Sequence, residues 1–172
     1  MLAEISAAMV KELREQTGAG IMDCKRALQE TGGDLAKASD ILKEQGMAKA
    51  AKKSERVAGQ GTIEAYIHAG GRIGVLVEVN CETDFVARTD EFKRLVHDIA
   101  MQVAAMDPTV VGNGPEAQST DGGAEVPDDK ILLKQVFIKD GSLTIEDLVK
   151  HAIAKIGENI VIRRFSRFEL GV

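Results

Sequence analysis

The sequence is poor in aromatic residues: of its 172 residues none is Trp, one is Tyr and five are Phe. A hydrophobic core therefore has to be built mainly from Ile, Val, Leu, Ala and Met. The few rings are not spaced as a platform on which a sheet could stack RNA bases. An aromatic residue in a connection between two elements consequently needs an explanation of its own.

Cysteine and histidine are also scarce. Cys24 and Cys81 lie far apart, with no Cys-x-x-Cys spacing and no nearby His, which argues against a disulfide framework and a zinc site. We interpret both as small buried residues. The three His residues are scattered, and the sequence has no Gly-x-Ser-x-Gly, His-Glu-x-x-His or P-loop spacing. We therefore expect no acid–base or covalent catalysis, no nucleotide binding by the chain itself, no cofactor and no metal.

An excess of positive charge and long apolar runs are lacking as well. The formal net charge is −5 at pH 7, which argues against broad attraction to nucleic acid or to an anionic membrane. No apolar run approaches the length of a signal-peptide core or a membrane span. These features predict a cytoplasmic protein whose partner is another protein or a small ligand.

The first segment, residues 1–46, is predicted to form three short helices, which we call the head. Ser6 and Asp34 are suited to cap the first and third helices, and Gly46 is expected to end the third. Three helices of this size bury a small core, so we interpret the head as a compact docking module. In the second helix we expect a buried stripe of Ile21, Cys24, Ala27 and Leu28.

Residues 47–60 form a predicted basic helical linker. Lys49, Lys52, Lys53 and Arg56 stand among alanines with Glu55 as the one acidic residue near them. Two interpretations remain open: the solvated face of a connecting helix, which we favour, or a basic strip that touches an acidic partner or RNA.

Residues 61–172 are predicted to form an α+β core, because the apolar period changes from helical to alternating. Two alternating runs around the turn at 69–71 predict a β-hairpin. Thr89 is placed to cap a helix that packs on this hairpin. The first strand has Ile63, Ala65 and Ile67 on one face, the second has Ile73, Val75, Val77 and Val79, and the helix has Phe92, Leu95, Val96, Ile99 and Val103.

All three prolines lie in residues 107–129, a Gly/Pro-rich stretch that we interpret as a flexible loop unable to contribute to a core. Beyond it we expect a short helix over residues 129–136 and a helix that begins with a Thr144–Asp147 capping box. The tail predicts a third antiparallel strand. Its alternation places Ile160, Ile162, Phe168 and Leu170 on one face and Arg163, Phe165 and Arg167 on the other.

The segment 80–86, NCETDFV, joins the second strand to the following helix and places an acid beside an aromatic residue. A simple turn favours Gly, Asn or Pro. Two interpretations of Phe85 are equally supported by the pattern. The ring can be exposed for a partner, with Asp84 orienting the contact. Alternatively, it can fold under the next helix and fasten it to the sheet, with Asp84 capping the turn.

Three long motifs resemble the bacterial translation elongation factor Ts family: Leu13-Arg14 with residues 17–25, residues 74–86, and residues 156–165 with 167–170. The resemblance implies a nucleotide-exchange factor that acts on the GDP-bound GTPase elongation factor Tu. It also implies that the segment Thr83, Asp84, Phe85 and Val86 inserts between helices of the GTPase and dislodges its Mg²⁺ ion. The positions that match the docking residues of the head are Arg14, Ile21 and Met22.

The chain also departs from this family. Ile21 replaces the first of two paired methionines, and the Gly/Pro-rich stretch replaces a pair of helices that short family members carry before residue 131. Short members can dimerise, so the resemblance leaves a homodimer open. An alternative function is a protein- or RNA-binding adaptor without exchange activity, because the head also resembles ubiquitin-associated three-helix domains.

Overall fold

The computed structural model describes residues 5–112 and 126–171. In these ranges the helices are α1 (Ala7–Thr17), α2 (Ile21–Glu30), α3 (Leu35–Ala51), α4 (Asp84–Ala87), α5 (Asp90–Met106) and α6 (Ile145–Ile156). The strands are β1 (Gln60–Ile67), β2 (Ile73–Cys81), β3 (Val136–Phe137), β4 (Asp140–Thr144) and β5 (Ile160–Glu169). None of the helices in these ranges combines the length and the hydrophobicity of a transmembrane segment.

The three predicted head helices are present and enclose a core of their own. The Ser6 hydroxyl accepts a hydrogen bond from the Met9 N–H at 3.2 Å, and Asp34 accepts one from the Lys37 N–H at 3.1 Å. Gly18 ends α1 in the left-handed region, at φ 68°, where a residue without Cβ is unstrained. The buried head core consists of Leu13, Cys24, Ala27, Leu28, Ala38 and Leu42.

The predicted helix end at Gly46 is wrong, because α3 continues to Ala51. A glycine inside a helix costs only about 1 kcal/mol, and here it allows α3 to approach α6: a Cβ on Gly46 would lie 3.1 Å from the Ala154 Cβ. Ala50, one turn further on, belongs to the main core. The predicted boundary between head and linker therefore falls inside one helix, and the division into three segments stays a prediction.

The predicted three-stranded antiparallel sheet is confirmed, with strand order β1-β2-β5. The central strand β2 buries Val75, Val77, Val79 and Cys81. Helix α5 packs on β1 and β2 and buries the whole stripe that its spacing predicts. The face of β1 that carries Ile63 and Ile67 is the solvent side of the sheet, whereas Tyr66 packs on the core.

The predicted alternation of β5 is wrong beyond Ile162. The register with β2 shifts at Glu78 and Val79: Arg164 pairs with Glu78 and Ile162 pairs with Val79, so Arg163 is an extra residue. A bulge of one residue exchanges the two faces of the strand. Phe165 therefore packs against the main core, and Phe168 is 69% exposed on the other side.

The segment 107–129 was expected to contribute nothing to a core, and its described ends contradict this. Val111 and Val126 are buried, and Val110 forms a parallel bridge with Ile131. The expected flexibility concerns mostly residues 113–125, which lie outside the described part of the chain.

The short helix predicted over 129–136 is replaced by two 3-10 turns, Asp128–Lys130 and Leu132–Lys134. Buried Gln135 holds the first turn by donating to the Asp129 carbonyl at 2.7 Å, and Gln102 of α5 donates to the Gln135 side chain at 3.2 Å. The β3–β4 hairpin was not predicted. The Thr144–Asp147 capping box is confirmed, with both of its hydrogen bonds at 3.1 Å.

The bulge leads to a prediction on two phenylalanines of one strand. Phe165→Ala should lower the free energy of unfolding by about 2 kcal/mol, because it removes a ring that packs on the core. Phe168→Ala should change it by less than about 0.5 kcal/mol, because that ring is in solvent. Urea unfolding of dilute protein measures both. The opposite ranking would show that β5 keeps a regular alternation.

Candidate partner-binding site

Residues 82–89, between β2 and α5, form two successive capped turns that we call the junction turn. Thr83 is the N-cap of the four-residue helix α4, and its hydroxyl oxygen accepts the Val86 N–H at 3.3 Å. Thr89 then caps α5 and accepts the Phe92 N–H at 3.3 Å. The Thr89 hydroxyl donates to the Val86 carbonyl at 2.8 Å. These bonds fix the backbone on both sides of Phe85.

Phe85 and Val86 point to opposite environments. Val86 is 7% exposed and belongs to the main core, whereas Phe85 is 77% exposed. Neighbouring residues on a helix are separated by about 100° around its axis, so burying Val86 directs Phe85 outward. The structure thus contradicts the interpretation in which Phe85 fastens α5 to the sheet.

Asp84 does not cap the turn, because Thr83 has that role. Asp84 is the first residue of α4 and forms an exposed ion pair with Arg88 at 2.5 Å. An exposed pair of this type contributes about 0.3–0.5 kcal/mol. Asp84 can therefore exchange Arg88 for a partner's polar group at little cost.

Glu158, which follows α6, binds the start of the junction turn. Its Oε2 accepts the N–H groups of Glu82 at 3.1 Å and Thr83 at 3.0 Å. Its Oε1 accepts the Thr83 hydroxyl at 2.6 Å. In return, Glu82 Oε1 accepts the N–H of Asn159 at 2.7 Å. Two carboxylates thus connect two chain segments reciprocally.

The sequence analysis did not identify Glu158 or Asn159 as site residues. The available signal was a polar pair directly after Gly157, the glycine that ends α6 at φ 91°. Polar residues at a helix end usually bind water or the helix itself. Sequence spacing alone does not show that these two reach a turn about 75 residues earlier in the chain.

Cys81 ends β2 below the junction turn. Burial raises the pKa of its thiol, and the nearby Glu158 carboxylate raises it further. The thiol is consequently protonated at neutral pH and donates to the Thr83 carbonyl at 3.2 Å. Both cysteines are buried and free, which confirms their interpretation as small buried residues.

The three head residues that match docking positions are all on the surface. Arg14 and Ile21 line a shallow groove between α1 and α2, together with Val10 and Lys25. Met22 is 71% exposed and lies beside Lys25. The combination of apolar side chains with cationic rims suits an amphipathic, acidic protein surface.

The expectation that Ile21 belongs to the buried stripe of α2 is wrong, since it is 55% exposed. The buried residues of this helix are Cys24, Ala27 and Leu28. Ile21 is the first residue of the helix and lies at the edge of a three-helix core too small to cover it.

Asp23 connects the head helices next to Met22. Lys49 of α3 donates to its carboxylate at 2.9 Å, and Arg26 binds the other oxygen. The hydrogen bond from Lys49 is the main cause that lowers the pKa of Asp23. Arg56 lies 3.6 Å from the carboxylate of Glu82. Two cations of the basic strip are thus paired within the chain.

The side chains of these surfaces are a few exposed apolar groups with charged groups beside them. Among the residues that the structure describes, no group of three or more His, Cys, Asp or Glu could hold a metal ion. The His97 ring hydrogen-bonds to the Glu64 carboxylate at 2.9 Å. The His68 ring hydrogen-bonds to the Tyr66 hydroxyl at 3.0 Å. What the site offers is an exposed ring on a fixed turn and a second apolar surface on the head.

Comparison with known proteins finds relatives along nearly the whole chain. The family model described as elongation factor TS matches residues 10–119 and 82–172. The chain is similar to the elongation factor Ts proteins of Coprothermobacter proteolyticus (52% identity, 98% of this chain and 99% of the relative) and Carboxydothermus hydrogenoformans (53%, 97% and 89%). A third, from a Thermoanaerobacter species, is 52% identical over 97% of this chain and 95% of the relative.

These alignments extend over 195, 194 and 194 positions, more than the 172 residues of the chain, so the relatives carry residues that this chain lacks. The matches nevertheless cover nearly the whole of both sequences. The three motifs and the exposed junction turn lie within the residues that the family model matches. The protein therefore belongs to the elongation factor Ts family of translation elongation factors.

Proposed function

We propose that this chain binds elongation factor Tu in its GDP-bound form and accelerates GDP release, in the cytoplasm, during translation elongation. The observation that carries the proposal is the exposure of Phe85 on a turn whose next residue, Val86, is buried in the core. No bond is made or broken in such an activity, so we expect no chemical catalysis by this chain.

In the proposed mechanism, Phe85 inserts between helices of the GTPase and distorts the Mg²⁺ site that anchors the nucleotide. The metal ion neutralises phosphate charge, so a distorted metal site weakens GDP binding. By linkage, weakening GDP binding a thousandfold requires that the factor bind the nucleotide-free GTPase better than the GDP form by about 4 kcal/mol.

The junction turn can account for most of this free energy. Burying a Phe side chain contributes about 1.5–3 kcal/mol, and a hydrogen bond from a partner to the Asp84 carboxylate contributes about 1 kcal/mol more. The sum approaches the required amount without a large additional interface. Asp84 would also fix the register of the ring, while Thr83 and Val86 hold the shape of the turn.

The head would have a different energetic role. Arg14, Ile21 and Met22 are proposed to dock on the nucleotide domain of the GTPase. Contacts of this kind, made equally in the GDP-bound and nucleotide-free complexes, increase affinity for both and do not by themselves accelerate release. The head would thus supply affinity for the GTPase, and the junction turn would accelerate GDP release.

The alternative function, an adaptor that binds protein or RNA without exchange, makes opposite predictions. Its binding would survive loss of Phe85, and RNA binding through the basic strip would weaken steeply with salt. The intramolecular pairing of Lys49 and Arg56 leaves less positive charge for such a role.

The first prediction of the proposal concerns the exposed ring. Phe85→Ala should lower the maximal rate of GDP release from elongation factor Tu about a hundredfold, because it removes the apolar contact that differs between the two nucleotide states. Stopped-flow release of fluorescent GDP, with excess unlabelled GDP and increasing concentrations of the factor, measures the rate.

Val57→Ala is the matched control, since Val57 is another strongly exposed apolar residue and should leave the rate unchanged. If the unaltered chain binds the GTPase without accelerating release, the adaptor function is favoured. If Phe85→Ala keeps the full rate, the proposed role of the junction turn is wrong.

A second prediction concerns the head. Met22→Ala should raise the half-saturating concentration of the factor about tenfold and leave the maximal rate within about twofold, because uniform binding is lost. Met47→Ala, which truncates an exposed methionine on α3, is the control. A fall in the maximal rate with unchanged half-saturation would contradict the division of roles.

A third prediction concerns self-association. The solvent face of the sheet exposes a set of large apolar side chains: Ile63, Ile67, Leu76, Phe168 and Leu170. A patch of this kind is typical of an interface, and we propose that a second copy of the chain covers it. Light scattering coupled to size-exclusion chromatography should give twice the monomer mass, and Phe168→Glu should restore the monomer.

Val136→Glu, which places a charge at an exposed apolar position of the other hairpin, should leave the dimer intact. A monomeric mass for the unaltered chain at every concentration would refute the homodimer.

A further inference from the structure

The Glu158 side chain lies outside the junction turn and yet binds it through three hydrogen bonds. Its two oxygens accept from the N–H groups of Glu82 and Thr83 and from the Thr83 hydroxyl, at 2.6–3.1 Å. Both N–H groups precede α4, where a helix has no internal acceptors to offer. A half-buried carboxylate satisfies them from another part of the chain.

We propose that Glu158 is a positioning residue for the exchange reaction: it holds the backbone of Glu82 and Thr83 so that Phe85 projects from the surface in one orientation. This inference rests on the proposed function. Glu158 itself would not touch the nucleotide or the metal of the GTPase. It would act entirely through the geometry of the junction turn.

The turn needs an external support because α4 contains four residues. A helix this short is not stable by itself, since nucleation costs more than one turn of hydrogen bonds returns. Val86 anchors one end of the turn in the core. Glu158 fixes the other end, so the residues between them have little freedom to rotate Phe85 toward the sheet.

The position of Glu158 is in turn fixed by its neighbour Asn159, which is 2% exposed. The Asn159 N–H donates to Glu82 Oε1 at 2.7 Å, and its side-chain amide donates to the carbonyls of Arg56 at 2.7 Å and Ser54 at 3.2 Å. Ser54 and Arg56 lie in the turn that follows the end of α3 at Ala51. The pair Glu158–Asn159 therefore connects the orientation of the junction turn to that of the head.

A carboxylate suits this position better than its amide analogue. All three groups that face Glu158 donate hydrogens to it, and a carboxylate is an acceptor at both oxygens. In Glu158→Gln the remaining oxygen can still accept from the two N–H groups, but the NH₂ group that replaces the other oxygen requires the Thr83 hydroxyl to accept a hydrogen bond where it now donates one. We therefore expect Gln to retain part of the geometry and Ala to retain none of these three bonds.

The kinetic test compares variants in the stopped-flow release of fluorescent GDP. Glu158→Ala should lower the maximal rate about tenfold with the half-saturating concentration unchanged within about twofold, because the head surface is intact. Glu158→Gln should lie between Ala and the unaltered chain. Glu146→Ala, which loses an exposed pair with Lys150, is the matched control and should keep the full rate.

A double variant distinguishes positioning from direct contact. If Glu158 acts through Phe85, the variant with both Phe85→Ala and Glu158→Ala should be as slow as Phe85→Ala alone. Multiplicative losses would overturn the inference, since they would indicate an independent contact with the GTPase. A full maximal rate for Glu158→Ala would overturn it as well.

A measurement on the free chain separates this inference from the proposed function. In hydrogen exchange followed by NMR, Glu158→Ala should speed exchange of the Glu82 and Thr83 amides at least about tenfold, with Val77 in the centre of β2 unchanged. Unchanged exchange at both amides would show that Glu158 does not hold the turn. If Glu158→Ala speeds hydrogen exchange at both amides but the unaltered chain does not accelerate GDP release from elongation factor Tu, the nucleotide-exchange function is refuted, and with it the role of Glu158 in that function.

Discussion

The site depends on one packing constraint: β2 and α5 must bury their apolar faces in the same core although only the junction turn separates them. Val79 and Cys81 at the end of β2, Val86 in the turn and Phe92 in α5 all belong to that core. Because the turn has to return to the core at Val86, its preceding residue cannot. The exposure of Phe85 is thus a consequence of how two large elements pack, and it does not depend on flexibility of the turn.

Helix α3 connects the head to the main core, because it contributes residues to both. It contributes Leu42 to the head core and Ala50 to the main core, and Gly46 between them lets it pack closely on α6. The residues that follow α3 are bound by Asn159. The two proposed recognition surfaces, one on the head and one at the junction turn, are consequently connected through a continuous helix and a buried amide.

Much of the fold follows from periodicity and capping residues. The stripe of α5, the β1–β2 hairpin and the capping box at Thr144 need only local information. The errors occurred where a distant contact decides. The register shift between Glu78 and Val79 exchanges the buried and exposed faces at the end of β5. Packing against α6 allows α3 to continue beyond Gly46, where the sequence predicted its end. The candidate site residues were proposed from a resemblance and from composition, but the orientation of Phe85 and the support from Glu158 required the tertiary structure.

The order of the junction turn decides whether its ring can alter a partner. Fixing the backbone of one residue costs about 1–2 kcal/mol, so ordering the four residues of α4 on binding would cost roughly 4–8 kcal/mol. Burial of one Phe ring contributes about 1.5–3 kcal/mol, which is less. For a mobile turn, the free energy gained by burying the ring would therefore be offset by the free energy needed to order the turn. Because the caps, Val86 and Glu158 hold the turn before binding, the free energy of burying Phe85 would remain available for the proposed distortion of the partner's nucleotide site.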